Sequence, residues 1–322
     1  MNLTLEYDIF TAIDYMKIMK NGINPSYLYD FYLIKIKGGE ILSVVGNYKG
    51  NLVRARLTYY PDKEGNIVID GSKYLKIKLN TDINIKGAKK VLNLPGEQHF
   101  IIDKKEITKI YPLNNETLEI EFEEFRELLI NNCNLTRNQI SVAGSRSIKC
   151  ERQESDYDVV IFDSNISHIR NFIISNTECN QELTFDINFA IEKYKVFYNL
   201  NSNEIEKLFT RRWKYINYKG LHISISFIDS NFFADNLLNL GNTTQEIQLK
   251  GQIINGDRSY FAPRLIDFIE QRTNKKYQIL SWLFFYNGAF NTGDEVGIKG
   301  KVVVQNSGQF VLIETTDSYI KL

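Results

Sequence analysis

The 322-residue chain is 43% hydrophobic and carries 39 basic and 39 acidic side chains, so its net charge is zero. This length suffices for two or three domains, and the balanced charge argues against a generally cationic nucleic-acid coat, although local basic patches stay open. Cys133, Cys150 and Cys179 have neither metal-site nor disulfide spacing, and the first residues lack the basic-then-apolar order of a signal peptide. Both features indicate a cytoplasmic protein.

Residues 27–111 are predicted to form short strands separated by turns. The segment 31–50 alternates and then breaks at Gly38, Gly39 and Gly50, and the strand-like segments 52–60, 67–70 and 74–79 follow. This rhythm predicts an N-terminal β-rich module, to which we assign residues 1–113.

The period changes near Leu118, where a helical stripe runs through Phe122, Phe125, Leu128 and Leu129. Further elements are predicted in the order strand, strand, helix, mainly helical segment and strand, over 139–144, 157–162, 167–176, 187–220 and 221–229. We assign residues 114–245 to this central part. Strand-like segments with glycine turns return at 248–256, 294–305 and 308–322, a pattern typical of a small β-barrel, so residues 246–322 form the third module.

Two aspartates, Asp156 and Asp158, lie at the start of the apolar strand that continues to Phe162. Side chains two residues apart on a strand point to the same face, so both carboxylates enter one small volume and repel each other unless a cation binds there. Such a pair suits Mg²⁺ (or Mn²⁺), which also binds substrate phosphates and polarises a phosphoryl group. The ordinary alternative is a solvated polar loop.

Residues 144–146, which precede the loop that leads to Asp156, predict a nucleotide-binding site. Gly144 permits close backbone approach, and backbone N–H groups together with the Ser145 hydroxyl can bind a phosphate. Arg146 adds a planar fork of donors for the same anion.

The segment "GSRSIKCERQESDYDVVIF", residues 144–162, resembles the signature of the polymerase-beta-like nucleotidyltransferase superfamily. The resemblance implies an α+β fold: a polymerase-beta-like nucleotidyltransferase core flanked by the N-terminal β-rich module and a C-terminal OB-like β-barrel module. It also implies metal-dependent transfer of a nucleotide to a hydroxyl, with Asp156 and Asp158 as catalytic metal ligands.

The superfamily adds a third carboxylate on a later strand, and here the chain departs from the pattern. On 221–229 the polar face consists of His222, Ser224 and Ser226, while Asp229 has the opposite parity. Asp186 is another candidate, although its surroundings favour a helix. The third ligand is therefore Asp229, Asp186 or none, with a serine in its place.

The layout and the final residues "TTDSYIKL" are similar to the Hailong group of phage-defence nucleotidyltransferases. This resemblance implies template-independent synthesis of single-stranded DNA oligomers from dATP or another nucleoside triphosphate, primed on the C-terminal tyrosine, here Tyr319. It further implies a membrane effector that binds the product, and a homo-oligomer. The alternative interpretation gives Tyr319 no priming role and places it in the closing strand of the barrel.

Two other functions stay open. The chain could be a nucleic-acid-binding module whose catalytic core no longer turns over, since the third carboxylate is in doubt. It could also transfer a single nucleotide to a protein or an RNA acceptor.

Overall fold

The computed structural model of the protein describes residues 27–322 apart from 78–81, 95–96, 117, 152–154, 180–181, 187, 189–190, 192–201, 212, 239–242, 306–307 and 316. Residues 1–26, the first part of the predicted N-terminal module, lie outside the described residues. Nineteen strands and three α-helices occur among the described residues, so the described fold is mostly β.

Eight strands form a strongly curved N-terminal sheet in which β3 pairs with β2, β5 and β7. The path β4-β5-β3-β2-β1-β8 is extended by the hairpin of β6 and β7. The bounds are β1 Leu33–Ile36, β2 Ile41–Val44, β3 Leu52–Pro61, β4 Ile67–Ile69, β5 Ser72–Lys76, β6 Ala88–Leu94, β7 Glu97–Asp103 and β8 Ile107–Tyr111. The alternating sequence of this region therefore folds as predicted into short antiparallel strands.

A five-stranded central sheet follows, with the order β11-β12-β13-β10-β9. Strands β10 and β13 are parallel, and the other neighbours are antiparallel. The bounds are β9 Ile140–Val142, β10 Tyr157–Phe162, β11 Leu183–Phe185, β12 Tyr215–Tyr218 and β13 Leu221–Ile228.

Two helices, α1 Ile120–Cys133 and α2 Ile166–Cys179, cover one face of the central sheet. The predicted stripe of α1 is buried there through Phe122, Phe125 and Leu129. Odd-numbered residues of β10 and β13 point to the helices, so even-numbered residues, including Asp158 and Ser224, point to the opposite face.

The C-terminal sheet has the order β14-β15-β16-β18-β17-β19, and β14 also pairs with β17, which closes a barrel. Strands β16 and β18 are parallel. The bounds are β14 Thr243–Asn255, β15 Arg264–Glu270, β16 Lys276–Ser281, β17 Glu295–Gln305, β18 Gly308–Ile313 and β19 Tyr319–Lys321. A third helix, α3 Ser202–Thr210, contributes Leu208 and Phe209 to the core of this barrel.

The N-terminal sheet contacts the barrel through buried polar and aromatic side chains. The guanidinium of Arg54 lies 2.7 Å from the carboxylate of Glu314 and 4.4 Å from the ring centre of Trp282. Its Nε donates a hydrogen bond of 3.1 Å to Nδ1 of His99. No described helix is long and apolar enough to cross a membrane.

The predicted α+β class is wrong. Only three α-helices occur among the described residues, and a polymerase-beta-like core with several helices is not evident in them. Part of the error lies in 187–220, predicted to be mainly helical: Tyr215–Tyr218 is a strand, because three of its four residues are buried in a sheet that local periodicity does not reveal. The barrel strands β15 and β16 were not predicted either.

Candidate functional site

The candidate site lies where β10 begins, on the face of the central sheet turned away from α1 and α2. Asp158 is the second residue of β10, and Asp156 lies just before the strand. Both side chains are partly exposed. Since β10 begins at Tyr157, the shared face of the two carboxylates stays a prediction.

Gly144 brings the preceding loop against Asp158. Its φ of +69° is left-handed, and an added Cβ would lie 2.5 Å from Oδ2 of Asp158. The adjacent N–H of Ala143 donates a hydrogen bond of 2.8 Å to the carbonyl oxygen of Asp158. Only glycine leaves room for this approach, so residue 144 controls the space around the carboxylate.

Ser224 fixes the other oxygen of Asp158. It lies opposite Asp158 in the parallel pairing of β10 with β13, and its Oγ donates a hydrogen bond of 2.9 Å to Oδ1. The predicted polar face of β13 thus meets the aspartates, and a serine stands at the level of Asp158.

Arg146 is buried within its own chain. Its guanidinium lies 3.7 Å from the ring centre of Tyr157, and its nitrogens donate hydrogen bonds to Glu119 at 2.9 Å and to the carbonyl oxygen of Ser155 at 3.0 Å. These contacts tie the residues on both sides of the loop together. Binding of phosphate by Arg146 and by Ser145 stays a prediction.

The N-terminal sheet closes over the same loop. Tyr59 of β3 is buried, and Sγ of Cys150 donates to its hydroxyl at 3.7 Å. Burial, then the neighbouring Cys150 and the charge of Asp158, raise the pKa of Tyr59 above its ordinary value. Tyr59 therefore stays protonated near the site at every physiological pH. No motif identified this residue, because the contact joins β3 to a loop some ninety positions later in the chain.

Asp186, one of the candidates for a third carboxylate, lies on the same face at a greater distance along the sheet. It follows β11 rather than standing in a helix, and its N–H donates to the carbonyl oxygen of Tyr215 at 2.9 Å. Its carboxylate contacts Nδ1 of His222.

Asp229, the other candidate, lies beyond the far end of β13. Its carboxylate accepts a hydrogen bond of 2.9 Å from Arg258, and its carbonyl oxygen accepts one of 2.7 Å from Asn47. Since Asp158 pairs with Ser224 near the start of β13, Asp229 stands five residues further along the strand. At about 3.3 Å per residue this is on the order of 16 Å away, too far for a shared metal.

Tyr319 lies in the barrel, in strand β19. It stands opposite Lys299 of β17, its hydroxyl accepts a hydrogen bond of 3.0 Å from Gln248, and the ammonium of Lys321 is 4.5 Å from its ring centre. Tyr319 therefore lies in the closing strand of the barrel, as the alternative interpretation predicts. Its role as a primer stays a prediction.

The donor set at β10 fits a magnesium ion held by two carboxylates, with phosphate and water as the remaining ligands. Gly144 lies against Oδ2 of Asp158 and Ser224 donates to Oδ1, so the position of this carboxylate is fixed on both sides. Among the described residues there is no group of three or more His, Cys, Asp and Glu side chains that could hold a metal.

No protein-family model matches the chain, and no curated protein or solved structure matches it either. The resemblance to nucleotidyltransferases and to their Hailong group therefore stays a prediction from the sequence.

Proposed function

We propose that the protein is a metal-dependent nucleotidyltransferase, which transfers a nucleoside monophosphate from a nucleoside triphosphate to a hydroxyl group. The observation that carries the proposal is the arrangement around Asp158: the backbone of Gly144 stands beside one carboxylate oxygen, while Ser224 donates to the other. A solvated polar loop does not require this fit, which favours a functional carboxylate over the ordinary alternative.

Asp156 and Asp158 would hold Mg²⁺ or Mn²⁺, and the ion would polarise the phosphoryl group and neutralise its charge. The chain's own residues set the position of these ligands. Strand β10 pairs with β9 on one side and with β13 on the other, and it carries Asp158, with Asp156 just before its first residue. The contacts of Arg146 with Glu119, Ser155 and Tyr157 hold the loop that leads to them.

We propose further that the product is a single-stranded DNA oligomer made without a template from dATP, as an anti-phage signal, and that Tyr319 is its primer. The sequence resemblance supports this finer assignment. The barrel adds no independent support, because the Tyr319 hydroxyl accepts a hydrogen bond from Gln248, and the neighbouring Lys299 and Lys321 are ion-paired with Glu246 and Glu204.

A second candidate, a nucleic-acid-binding module without turnover, is favoured by one observation. Ser224 stands next to Asp158 on the strand where the resemblance implies a third carboxylate. A site with only two carboxylates lacks the third carboxylate, which the superfamily uses to deprotonate the acceptor hydroxyl. Such a site would bind nucleic acid without transferring a nucleotide.

The decisive experiment incubates the full-length protein with Mg²⁺ and each labelled nucleoside triphosphate in turn, and measures pyrophosphate release and labelled product. Asp156→Ala and Asp158→Ala should abolish transfer while the folded state persists, because removing like charges relieves repulsion in the metal-free protein. Transfer by the double alanine variant would refute the proposal. Unchanged nucleic-acid binding without any transfer would favour the second candidate.

A further inference from the structure

His222 and Asp186 form a side-chain pair on the same face of the central sheet as Asp158. Nδ1 of His222 contacts Oδ2 of Asp186. The imidazole side chain is 47% exposed, whereas the side chain of Asp186 is only 17% exposed. The pair thus joins a sheltered carboxylate to an accessible ring.

The strand register places this ring next to the candidate site. Tyr157 pairs with Ile223 and Asp158 with Ser224, so His222 lies one residue before the paired part of β13, next to the start of β10. Neighbouring strands are about 4.8 Å apart, and His222 has the same parity as Ser224, which contacts Asp158 directly. The ring therefore stands on the site face, one strand away from Asp158.

A carboxylate on Nδ1 sets the chemistry of the imidazole. It favours the tautomer with its proton on Nδ1, so that Nε2 is the ring nitrogen that can accept a proton. Among the described residues, Ser224 donates a hydrogen bond to Asp158, and Asp229 stands beyond the far end of β13, so neither offers the same arrangement.

We propose that His222, oriented by Asp186, is the general base of the transfer reaction, an inference that rests on the proposed function. In the step, the acceptor hydroxyl oxygen forms a bond to the α-phosphorus of the nucleoside triphosphate. The bond from that phosphorus to the bridging oxygen breaks, and pyrophosphate leaves with the electron pair. The hydroxyl proton passes to Nε2 of His222, and from there to water. The pair takes the task that the superfamily gives to a third carboxylate.

The test measures single-turnover transfer by the wild-type protein and by His222→Ala, His222→Gln and Asp186→Asn. Both His222 variants should be slower by about 100-fold or more, as expected for loss of a general base. The transfer rate of Asp186→Asn should be roughly tenfold lower than that of the wild-type protein, because the substitution removes only the group that orients the ring. The Kd of a triphosphate analogue with a methylene bridge after the α-phosphorus should be unchanged in all three.

Rescue separates a base from a structural residue. Imidazole added to the buffer should restore part of the rate of His222→Ala, because a free base can fill the space, and should not affect Asp158→Ala. The matched control is His168→Gln, an exposed histidine on α2, which should transfer at the wild-type rate.

The outcomes are distinguishable. A wild-type protein without transfer, or an active Asp158→Ala variant, overturns the proposed function and this inference with it. An active wild-type protein whose His222→Ala variant keeps its rate overturns the base alone. A slow His222→Ala variant that imidazole does not rescue, or one with weakened nucleotide affinity, assigns His222 a structural role and also overturns the base.

Discussion

The α-carbon of Gly144 faces the carboxylate of Asp158 so closely that a methyl group there would lie 2.5 Å from Oδ2. Gly144→Ala should therefore displace the carboxylate and reduce transfer by at least tenfold. It should also lower the free energy of unfolding by about 1–2 kcal/mol, because alanine is strained at a left-handed φ. Single-turnover kinetics and a urea titration measure the two effects.

Gly71→Ala is the matched control, since Gly71 has a φ of +73° and an added Cβ meets nothing within 4 Å. It should show the same backbone strain and keep wild-type kinetics. Equal loss of transfer in both variants would mean that strain, and not the carboxylate, explains the effect at position 144.

Ser224 should act through Asp158 rather than on substrate. Ser224→Ala removes the donor to Oδ1 and should lower kcat by roughly tenfold and weaken Mn²⁺ binding, measured by titration calorimetry. Ser224→Thr keeps a hydroxyl on a β-branched side chain that strands accept, so it should recover most of both. Ser226→Ala changes a buried serine on the same strand face and serves as the control. Wild-type metal affinity in Ser224→Ala would contradict this role.

Arg146 should stabilise the fold of the loop. Arg146→Ala removes a side chain that is 7% exposed and its contacts with Tyr157, Glu119 and Ser155, so it should cost about 2 kcal/mol of unfolding free energy. Arg146→Lys keeps the charge but loses the planar fork, and should recover less than half. Arg137→Ala, a half-exposed arginine paired with Glu123, is the control. The phosphate-binding role predicted from the sequence requires instead a higher KM at unchanged stability.

The sequence predicts best what is local. The apolar strand that contains Asp158 and the helical stripe through Phe122, Phe125 and Leu129 need only the period of a strand or of a helix, and both occur in the structure, although Asp156 lies just before the strand. The short alternating strands among the described residues of 27–111 follow from the same rule.

The errors have two sources. The class was wrong in part because Tyr215–Tyr218 and the strands β15 and β16 form hairpins with neighbouring strands, and the sequence prediction missed these hairpins. The pairing of Asp186 with His222 and the packing of Tyr59 against Cys150 join positions that no spacing rule connects. Composition likewise does not reveal that Glu119 and Tyr157 contact Arg146, whose role as a phosphate ligand stays a prediction.

Two buried titratable groups near the contact of the N-terminal sheet with the barrel should have opposite effects on stability. Burial raises the pKa of Asp30 from 3.8 to about 6, so between these values the folded state binds more protons and stability falls as pH rises. Burial lowers the pKa of His99 from 6.5 to about 4, so there the unfolded state binds more protons and stability rises with pH. The two contributions oppose each other from pH 4 to 6.

Variants separate the two groups. Asp30→Asn keeps the acceptor of the Phe31 and Gly46 N–H groups, and its stability should rise by about 3 kcal/mol from pH 4 to 6.5 relative to wild type. The stability of His99→Gln relative to the wild-type protein should fall by a similar amount from pH 4 to 6. Urea midpoints across this range provide the measurement, and the exposed His168→Gln should follow the wild-type curve. Parallel curves for all four proteins would contradict both shifts.

The last prediction concerns Tyr319 as primer. The residue pairs with Lys299, and its neighbour Ile320 is buried and donates its N–H to the hydroxyl of Tyr286 at 3.1 Å. To reach a site at β10, the three residues of β19 must leave β17, or the site of a second copy must approach the barrel surface. Tyr319→Phe keeps the ring and the strand and removes only the phenol oxygen with its bond from Gln248, which costs about 1 kcal/mol. It should therefore lose unprimed synthesis from dATP, because the first acceptor is gone, and still extend an added oligonucleotide.

Tyr277→Phe is the matched control, because Tyr277 is also half-buried on the barrel and has the ammonium of Lys275 at 4.9 Å from its ring centre. It should synthesise oligomers at the wild-type rate. Peptide mass spectrometry after incubation with dATP and Mg²⁺ should find nucleotide mass on the C-terminal peptide of the wild-type protein and of Tyr277→Phe, and none on that of Tyr319→Phe. An unmodified C-terminal peptide in a wild-type protein that makes oligomers, together with unprimed synthesis by Tyr319→Phe, would exclude Tyr319 and leave a free nucleotide as the first acceptor.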